Sequence, residues 1–237
     1  MGVSGVEALL FDVFGTCVDW RSGIIHAVGT VARHKGVAVD AAAFADAWRG
    51  KYQPSMEKVR SGQRPWTILD ALHRESLDSL LPQFGLESLS EAERDDLNRA
   101  WHRLDPWPDT VGGLTRLKSR YIISPLSNGN VALLANMAKR GGLPWDLILS
   151  AETSRAYKPL PASYLNAVAM LGRKPEQVMM VAAHNGDLAA AQSHGLRTAF
   201  VARPQEHGPK QKTDLAATGK WDVVAGDFIE LADRMGA

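Results

Sequence analysis

The alternation of apolar and polar positions divides the chain into three unequal stretches. The first is a short apolar run, Val6 to Phe11, whose length and flanks suit a strand buried on both faces. It ends at Asp12, and Gly15-Thr16 open a loop. For about eighty residues afterwards the apolar positions recur at helical spacing. Ile24, Ile25, Val28, Val31 and Ala32 mark one helix; Phe44, Ala47 and Trp48, continued by Tyr52, Met56 and Val59, mark a second. Pro65 is placed to open a third, with Ile68, Leu69, Leu72, Leu77, Leu80 and Leu81 on its buried face. Ser90 followed by Glu93 is a capping-box pattern that starts a fourth helix, reaching Leu97 and Trp101.

Asp105-Pro106-Trp107-Pro108 ends the helical stretch, because proline cannot continue a helix and restrains the residue before it. Strand-like and helical segments then alternate. Strands are predicted over 121–126, 147–149, 178–182, 198–201 and 222–224, and helices over 131–140, 162–171, 188–194 and 228–235. Such alternation predicts an α/β fold, a parallel sheet with helices on its faces. Residues 203–219 are polar and rich in Pro, Gly, Lys and Gln, and read as a surface loop. The expected organisation is a core of residues 1–19 and 105–237 interrupted by a helical cap at 20–104.

With 237 residues, 45% of them hydrophobic, the chain is long enough for one sizeable core and a smaller insert. A formal net charge of +1 gives no electrostatic reason to expect nucleic acid or an anionic membrane as partner. No segment approaches the roughly 20 apolar residues that span a bilayer, so a soluble, cytoplasmic protein is expected. The single cysteine, Cys17, excludes an intrachain disulfide and a cysteine-based zinc site. It lies near Asp12 with no His or Lys beside it in sequence to activate a thiolate, and reads as a packing residue.

Chemistry in an open α/β sheet collects beyond the carboxyl ends of the strands. Asp12 stands at one such end; Ser127 and Asn128 stand at a second, just before a helix; His184, Asn185 and Asp187 stand at another. Lys158 precedes Pro159 in a loop between them. Each of these residues also has an ordinary structural reading, as a cap, a turn or a solvated ion, and residue by residue both readings stay open.

The order Phe11-Asp12-x-x-Gly15-Thr16, Ser127-Asn128-Gly129, Tyr157-Lys158-Pro159 and a motif ending in Asp187 resembles the haloacid dehalogenase superfamily. Over its whole length, insertion included, the chain resembles the type II 2-haloacid dehalogenases. Segments 48–56, 125–130 and 182–188 are especially similar to bacterial members that accept fluoroacetate. The resemblance implies a three-layer Rossmann-like core with an inserted α-helical bundle cap. Superfamily phosphatases carry an acid two residues after the nucleophile and a metal-binding Asp in the last motif, and here those positions hold Phe14 and Ala183. The resemblance therefore implies no metal, no cofactor and a small haloacid as the partner, with a homodimer left open. A phosphatase or phosphonatase acting on a small metabolite is the alternative enzyme, and a binding or scaffold protein on an inherited fold is the other rival.

The roles implied follow the matched positions. Asp12 attacks the α-carbon and forms an ester that water then hydrolyses. Ser127 and the main-chain amides of Val13 and Phe14 hold the substrate carboxylate. Arg49 and Asn128 hold the departing halide, with the Trp48 indole as a further candidate donor. Lys158 orients Asp12 and offsets its charge. Asp187 activates the hydrolytic water, helped by His184 and Asn185, and Thr16 and Tyr164 support the site. His184 departs from the amide found in many type II members, and is expected either to activate water or to donate to the halide.

Overall fold

The computed structural model describes residues 4–237. Six strands form one sheet: β1 (Ala8–Phe11), β2 (Ile122–Ser127), β3 (Leu149–Ser150), β4 (Val178–Ala182), β5 (Arg197–Val201) and β6 (Val223–Ala225). Their spatial order is β3-β2-β1-β4-β5-β6, and every neighbouring pair is parallel. The chain builds outward from β1 in one direction, then returns to its other side at β4. This reversal makes the carboxyl end of β1 a topological switch point, where open α/β sheets hold their ligands. Phe11 is in register with Pro125 on one side and Val181 on the other, so Asp12 leaves the sheet between two strand ends.

Both faces of the sheet are covered, which explains the unbroken apolar runs. Leu9 and Phe11 point into one apolar cluster with Met179 and Val181, while Ala8 and Leu10 point into a second with Met180 and Ala182. Helices α6 (Thr110–Lys118) and α11 (Phe228–Met235) pack together on the first face. On the second lie α9 (Pro161–Met170) and α10 (Asn185–Ser193), which supply Tyr164, Ala167, Leu188 and Ala191. Helix α7 (Val131–Gly141) and the one-turn α8 (Ala151–Ser154) add Leu133, Leu134, Met137 and Ala151 to the first cluster.

Between β1 and β2 the chain inserts α1 (Trp20–Lys35), α2 (Ala41–Gly50), α3 (Tyr52–Arg60), α4 (Leu69–Leu80) and α5 (Glu91–Asn98). Their apolar faces, with Phe44, Trp48, Met56, Leu72, Leu77 and Trp101, join the same cluster as Phe14 and Val18, so the insertion packs directly over the end of β1. Ser90 and Glu93 form the reciprocal capping box that their spacing predicts.

The structure differs from the sequence reading in several places, four of which bear on packing. The second predicted helix is two helices, α2 and α3, separated at Lys51. Pro54 lacks an N–H, and its ring would meet the carbonyl four residues back, so it is tolerated only in the first turn of a new helix. The third helix starts at Leu69, not at Pro65, with Ile68 extended in front of it. Helix α6 was not predicted. Gly112 and Gly113 lower its helix propensity, yet a Cβ at Gly113 would lie 2.4 Å from Cβ of Phe228, so the glycine permits the close approach of α6 to α11. Finally, the segment 203–219 is not wholly a surface loop, because Arg203 and Glu206 turn inward and are buried.

Candidate active site

Asp12 follows β1 with its amide donating to the Val181 carbonyl (2.9 Å), which ties the residue to β4. Its carboxylate is 8% exposed and carries three donors. Lys158 Nζ donates to Oδ1 at 2.9 Å. Thr16 Oγ1 donates to Oδ2 at 2.8 Å, and His184 Nδ1 lies 3.1 Å from the same oxygen. Burial favours the neutral acid, but the Lys158 charge and the hydrogen bond and charge of His184 outweigh it and hold the carboxyl far below the usual carboxylate range. Asp12 is therefore an ionised, buried carboxylate at neutral pH.

Lys158 is buried between two carboxylates. Its Nζ also donates to Asp187 Oδ2 at 2.5 Å, and Asp187 Oδ1 accepts the Tyr164 hydroxyl at 2.6 Å. Burial disfavours the ammonium, but Asp12 and Asp187 overcome that penalty and raise its pKa above the ordinary lysine value. The backbone of Lys158 is fixed too, its amide donating to Asn128 Oδ1 (2.9 Å) and its carbonyl accepting Arg60 Nη1 (3.0 Å) from α3.

These groups line a cavity of about 640 Å³ together with Phe14, Arg49, Tyr52 and Gln53 from the β1 loop and the insertion. The Arg49 guanidinium carbon sits 4.1 Å from the Tyr52 ring centroid and 5.2 Å from that of Trp20. Its Nη1 is buried with no hydrogen-bond partner among the described residues. A desolvated guanidinium nitrogen left unpaired in the cavity that Asp12 lines is a ready anion site. The amides of Val13 and Phe14 donate to no group of the chain among the described residues. Behind Phe14, His73 stacks on Trp101 (4.4 Å between centroids), and burial pushes its pKa down to about 3, so it is neutral.

Of the residues singled out from sequence, Asp12, Phe14, Arg49, Asn128, Lys158, Tyr164, His184 and Asp187 converge on this cavity. Val13 turns its side chain into the core, and Thr16, fully buried, accepts the Ala183 amide (3.0 Å) while donating to Asp12. Ser127 lies beneath the cavity wall, 1% exposed, with Oγ accepting the Gly129 amide at 3.1 Å. Cys17 is buried and donates to the Asp12 carbonyl; burial raises its pKa well above the ordinary thiol value, so it remains a packing thiol.

Three sequence expectations are corrected. Trp48 is no halide donor, because its indole N–H is committed to the His73 carbonyl (3.0 Å) within the insertion's core. Asn185 does not reach the reacting groups. Its Nδ2 donates to Asp214 and Ala216, and its Oδ1 accepts the Thr218 amide and the Trp221 indole, so it organises the 214–221 loop. His184 is not free to accept a proton from water or donate to a halide, since Nε2 lies 2.8 Å from Glu206 Oε2 while Nδ1 faces Asp12.

Glu206 is the residue that sequence reasoning missed. It is 1% exposed, and its Oε1 accepts the Trp20 indole N–H at 3.1 Å. Its surroundings, Arg203 to Gly208, offered no apolar signal of burial. Gly15 is its counterpart, with φ at +84° and a hypothetical Cβ only 2.1 Å from Glu206 Oε1. Gly15→Ala should therefore destabilise the fold by at least about 1–2 kcal/mol for the left-handed backbone alone and should also displace Glu206. Thermal unfolding measures the first effect, and loss of turnover exceeding that of an equally destabilised surface variant measures the second.

A parallel sheet with a carboxylate at its switch point, opposed by an inserted helical bundle, defines an α/β enzyme-like scaffold with a capped site. The family model for haloacid dehalogenase-like hydrolases matches residues 6–195, and the chain belongs to that family. It is 30% identical over 238 residues to (S)-2-haloacid dehalogenase 4A of Burkholderia cepacia, covering 97% of this chain and 100% of that protein. Among solved structures it is similar to the defluorinating L-2-haloacid dehalogenase Rha0230, at 53% identity and a TM-score of 0.96, over 98% of this chain and 96% of that one. It is also similar to L-2-haloacid dehalogenase from Xanthobacter autotrophicus with chloropropionic acid covalently bound, at 25% identity and a TM-score of 0.79, over 96% and 97% of the two chains.

Proposed function

We propose that the protein hydrolyses the carbon–halogen bond of short 2-haloalkanoic acids, fluoroacetate among them, to 2-hydroxy acids. The observation that carries this reading is an ionised, buried Asp12 that shares one cavity with the apolar Phe14 and with Arg49, whose buried Nη1 has no hydrogen-bond partner among the described residues. The similarity to a defluorinating enzyme and to one holding covalently bound chloropropionic acid supports it.

The Asp12 carboxylate displaces halide from the α-carbon in line, and the carbon–halogen electron pair leaves with the halide toward Arg49 and the Asn128 amide. No proton is needed on this leaving group, so an apolar Phe14 suffices where a phosphoryl-transfer enzyme places an acid. The substrate carboxylate is held by the free amides of Val13 and Phe14 together with the Ser127 hydroxyl, whose oxygen accepts the Gly129 amide. Water then attacks Cγ of the ester and gives its proton to Asp187. Lys158, bonded to both carboxylates, supplies a proton to the departing hydroxy acid and takes the one on Asp187. Tyr164 orients Asp187 throughout.

The helices of 20–104 serve as a cap that keeps bulk water from the ester, and the enzyme is cytoplasmic and acts without a cofactor. Halide release from fluoroacetate, chloroacetate and 2-chloropropionate, measured in one assay, tests the reading; release from at least one is expected. Silence on all three, together with Mg²⁺-dependent hydrolysis of a phosphate ester, would replace it with a phosphatase. In a single turnover in ¹⁸O-water the new hydroxyl of the product should be unlabelled, because its oxygen comes from Asp12. A labelled hydroxyl would mean direct attack by water on the α-carbon.

A further inference from the structure

The two oxygens of Asp12 are not equivalent. Oδ2 accepts from Thr16 Oγ1 and faces His184 Nδ1, which uses both of its in-plane lone pairs; among the described residues Oδ1 accepts only from Lys158. One lone pair therefore remains available, and it is on Oδ1. His184 does not hold its position alone. Its second nitrogen meets Glu206 Oε2, and Glu206 is anchored by Trp20 on its other oxygen and by the absence of a side chain at Gly15. Glu206 is a buried carboxylate from a distant loop to which the mechanism above assigns no work.

We propose that Oδ1 of Asp12 is the attacking oxygen and that Glu206 is a positioning residue for ester hydrolysis, holding the His184 Nδ1–H on Oδ2. The inference rests on the haloacid reading given above. In the first step a lone pair of Oδ1 forms the bond to the α-carbon as the carbon–halogen bond breaks. Oδ2 is then the carbonyl oxygen of the ester. When water attacks Cγ, the carbonyl π pair moves onto Oδ2 as an oxyanion, with the Thr16 hydroxyl and His184 N–H already aimed at it. Collapse of that oxyanion breaks the Cγ–Oδ1 bond, and the hydroxy acid leaves with Oδ1 and a proton from Lys158.

The charge on each partner is consistent with this arrangement. Burial disfavours a charged imidazole, but the Glu206 carboxylate and the Asp12 contact reverse the balance and raise the His184 pKa well above its ordinary value. Both ring nitrogens then carry protons, one to each carboxylate. Burial likewise raises Glu206, while His184, Arg49 and His207 more than offset it and keep it ionised. The Thr16 and His184 donors lie on the oxygen where charge develops in the second half-reaction, so they favour that half-reaction more than the first, in which the attacking lone pair is on Oδ1.

Glu206→Gln keeps the size of the side chain and removes its charge. With chloroacetate as the probe, the first halide per active site should be released at the wild-type rate. Steady-state turnover should then fall by about 10- to 100-fold, less than the roughly 100- to 1,000-fold cost of deleting an oxyanion donor outright. Intact-protein mass spectrometry of quenched enzyme should show the aspartyl ester accumulating. In a His184→Asn background, Glu206→Gln should have no further effect, since Glu206 acts through His184. Thr16→Val, which removes the other donor on Oδ2, should also accumulate ester, and it supplies the same test should Glu206→Gln fail to fold.

A purely structural role for Glu206 would lower the melting temperature without changing the ratio of first-halide rate to steady-state rate. That result overturns the proposal. So does an equal slowing of the first halide, or multiplicative effects of the two substitutions. A wild-type enzyme that releases no halide overturns the haloacid reading itself and the proposal with it, whereas an active wild type with an unchanged variant overturns the proposal alone.

Discussion

Asp12→Asn should abolish halide release, with a loss of at least about 10⁴-fold on the scale set by removal of other covalent nucleophiles. The substitution preserves shape and replaces an anionic oxygen with a neutral amide, which does not displace halide from carbon. It also strips one counter-charge from Lys158 and from His184, which keep Asp187 and Glu206 respectively as partners. The cation pair thus remains half-satisfied, and the fold should survive. The check is twofold: halide release at saturating chloroacetate, and a mass spectrum without the ester. A retained thermal transition locates the loss in the chemistry, whereas residual turnover within about tenfold of wild type would exclude Asp12 as the nucleophile.

Lys158→Met should cost both activity and stability. The ammonium is 2.9 Å from Asp12 Oδ1 and 2.5 Å from Asp187 Oδ2, with its side chain only 8% exposed. Removing it leaves two buried carboxylates facing each other without their shared cation. Breaking a buried ion pair by deleting one partner costs roughly 3–5 kcal/mol, which at ~2–4 °C per kcal/mol for a chain of this size lowers the melting temperature by about 6–20 °C.

The pH dependence has a defined sign. In the wild type the depressed Asp12 value means that its stabilising contribution is present above about pH 4, the unfolded value, and is lost as pH falls through the folded value. Lys158 has a raised folded value, so its contribution is complete below about pH 10 and is lost only as pH rises through that folded value. Without Lys158, the largest attraction that lowers Asp12 is gone and burial pushes its carboxyl upward. The variant's deficit should therefore be largest above neutrality and shrink on acidification. Melting curves from pH 5 to 8 measure it, and a deficit that does not change with pH would refute the shared-cation account.

Much of the scaffold is legible in the chain because it rests on local periodicity. The strand over 178–182 and the helix over 228–235 have the bounds read from the pattern, and Ser90 and Glu93 cap α5 as their spacing requires. Where propensity and packing disagree, the reading fails. Of the two glycines that hid α6, Gly113 is the one that lets it approach Phe228, and Pro54 divided a continuous apolar stripe into two helices.

The sequence by itself determined that a carboxylate would stand at the end of the first strand, because a strand end is a property of neighbouring residues, and the family resemblance added that Phe14 and Ala183 stand where related phosphatases keep acids. Only the tertiary structure decided which polar groups have work left to do. Trp48 and Asn185 spend their hydrogen bonds within the insertion and the 214–221 loop, while Arg49 keeps a buried nitrogen unpaired. Glu206 reaches Trp20 across 186 positions of sequence and closes the chain of contacts through His184 to Asp12. A polar residue in a polar loop carries no local sign of burial. Whether its valences are filled by water or by a distant segment is settled when those segments meet.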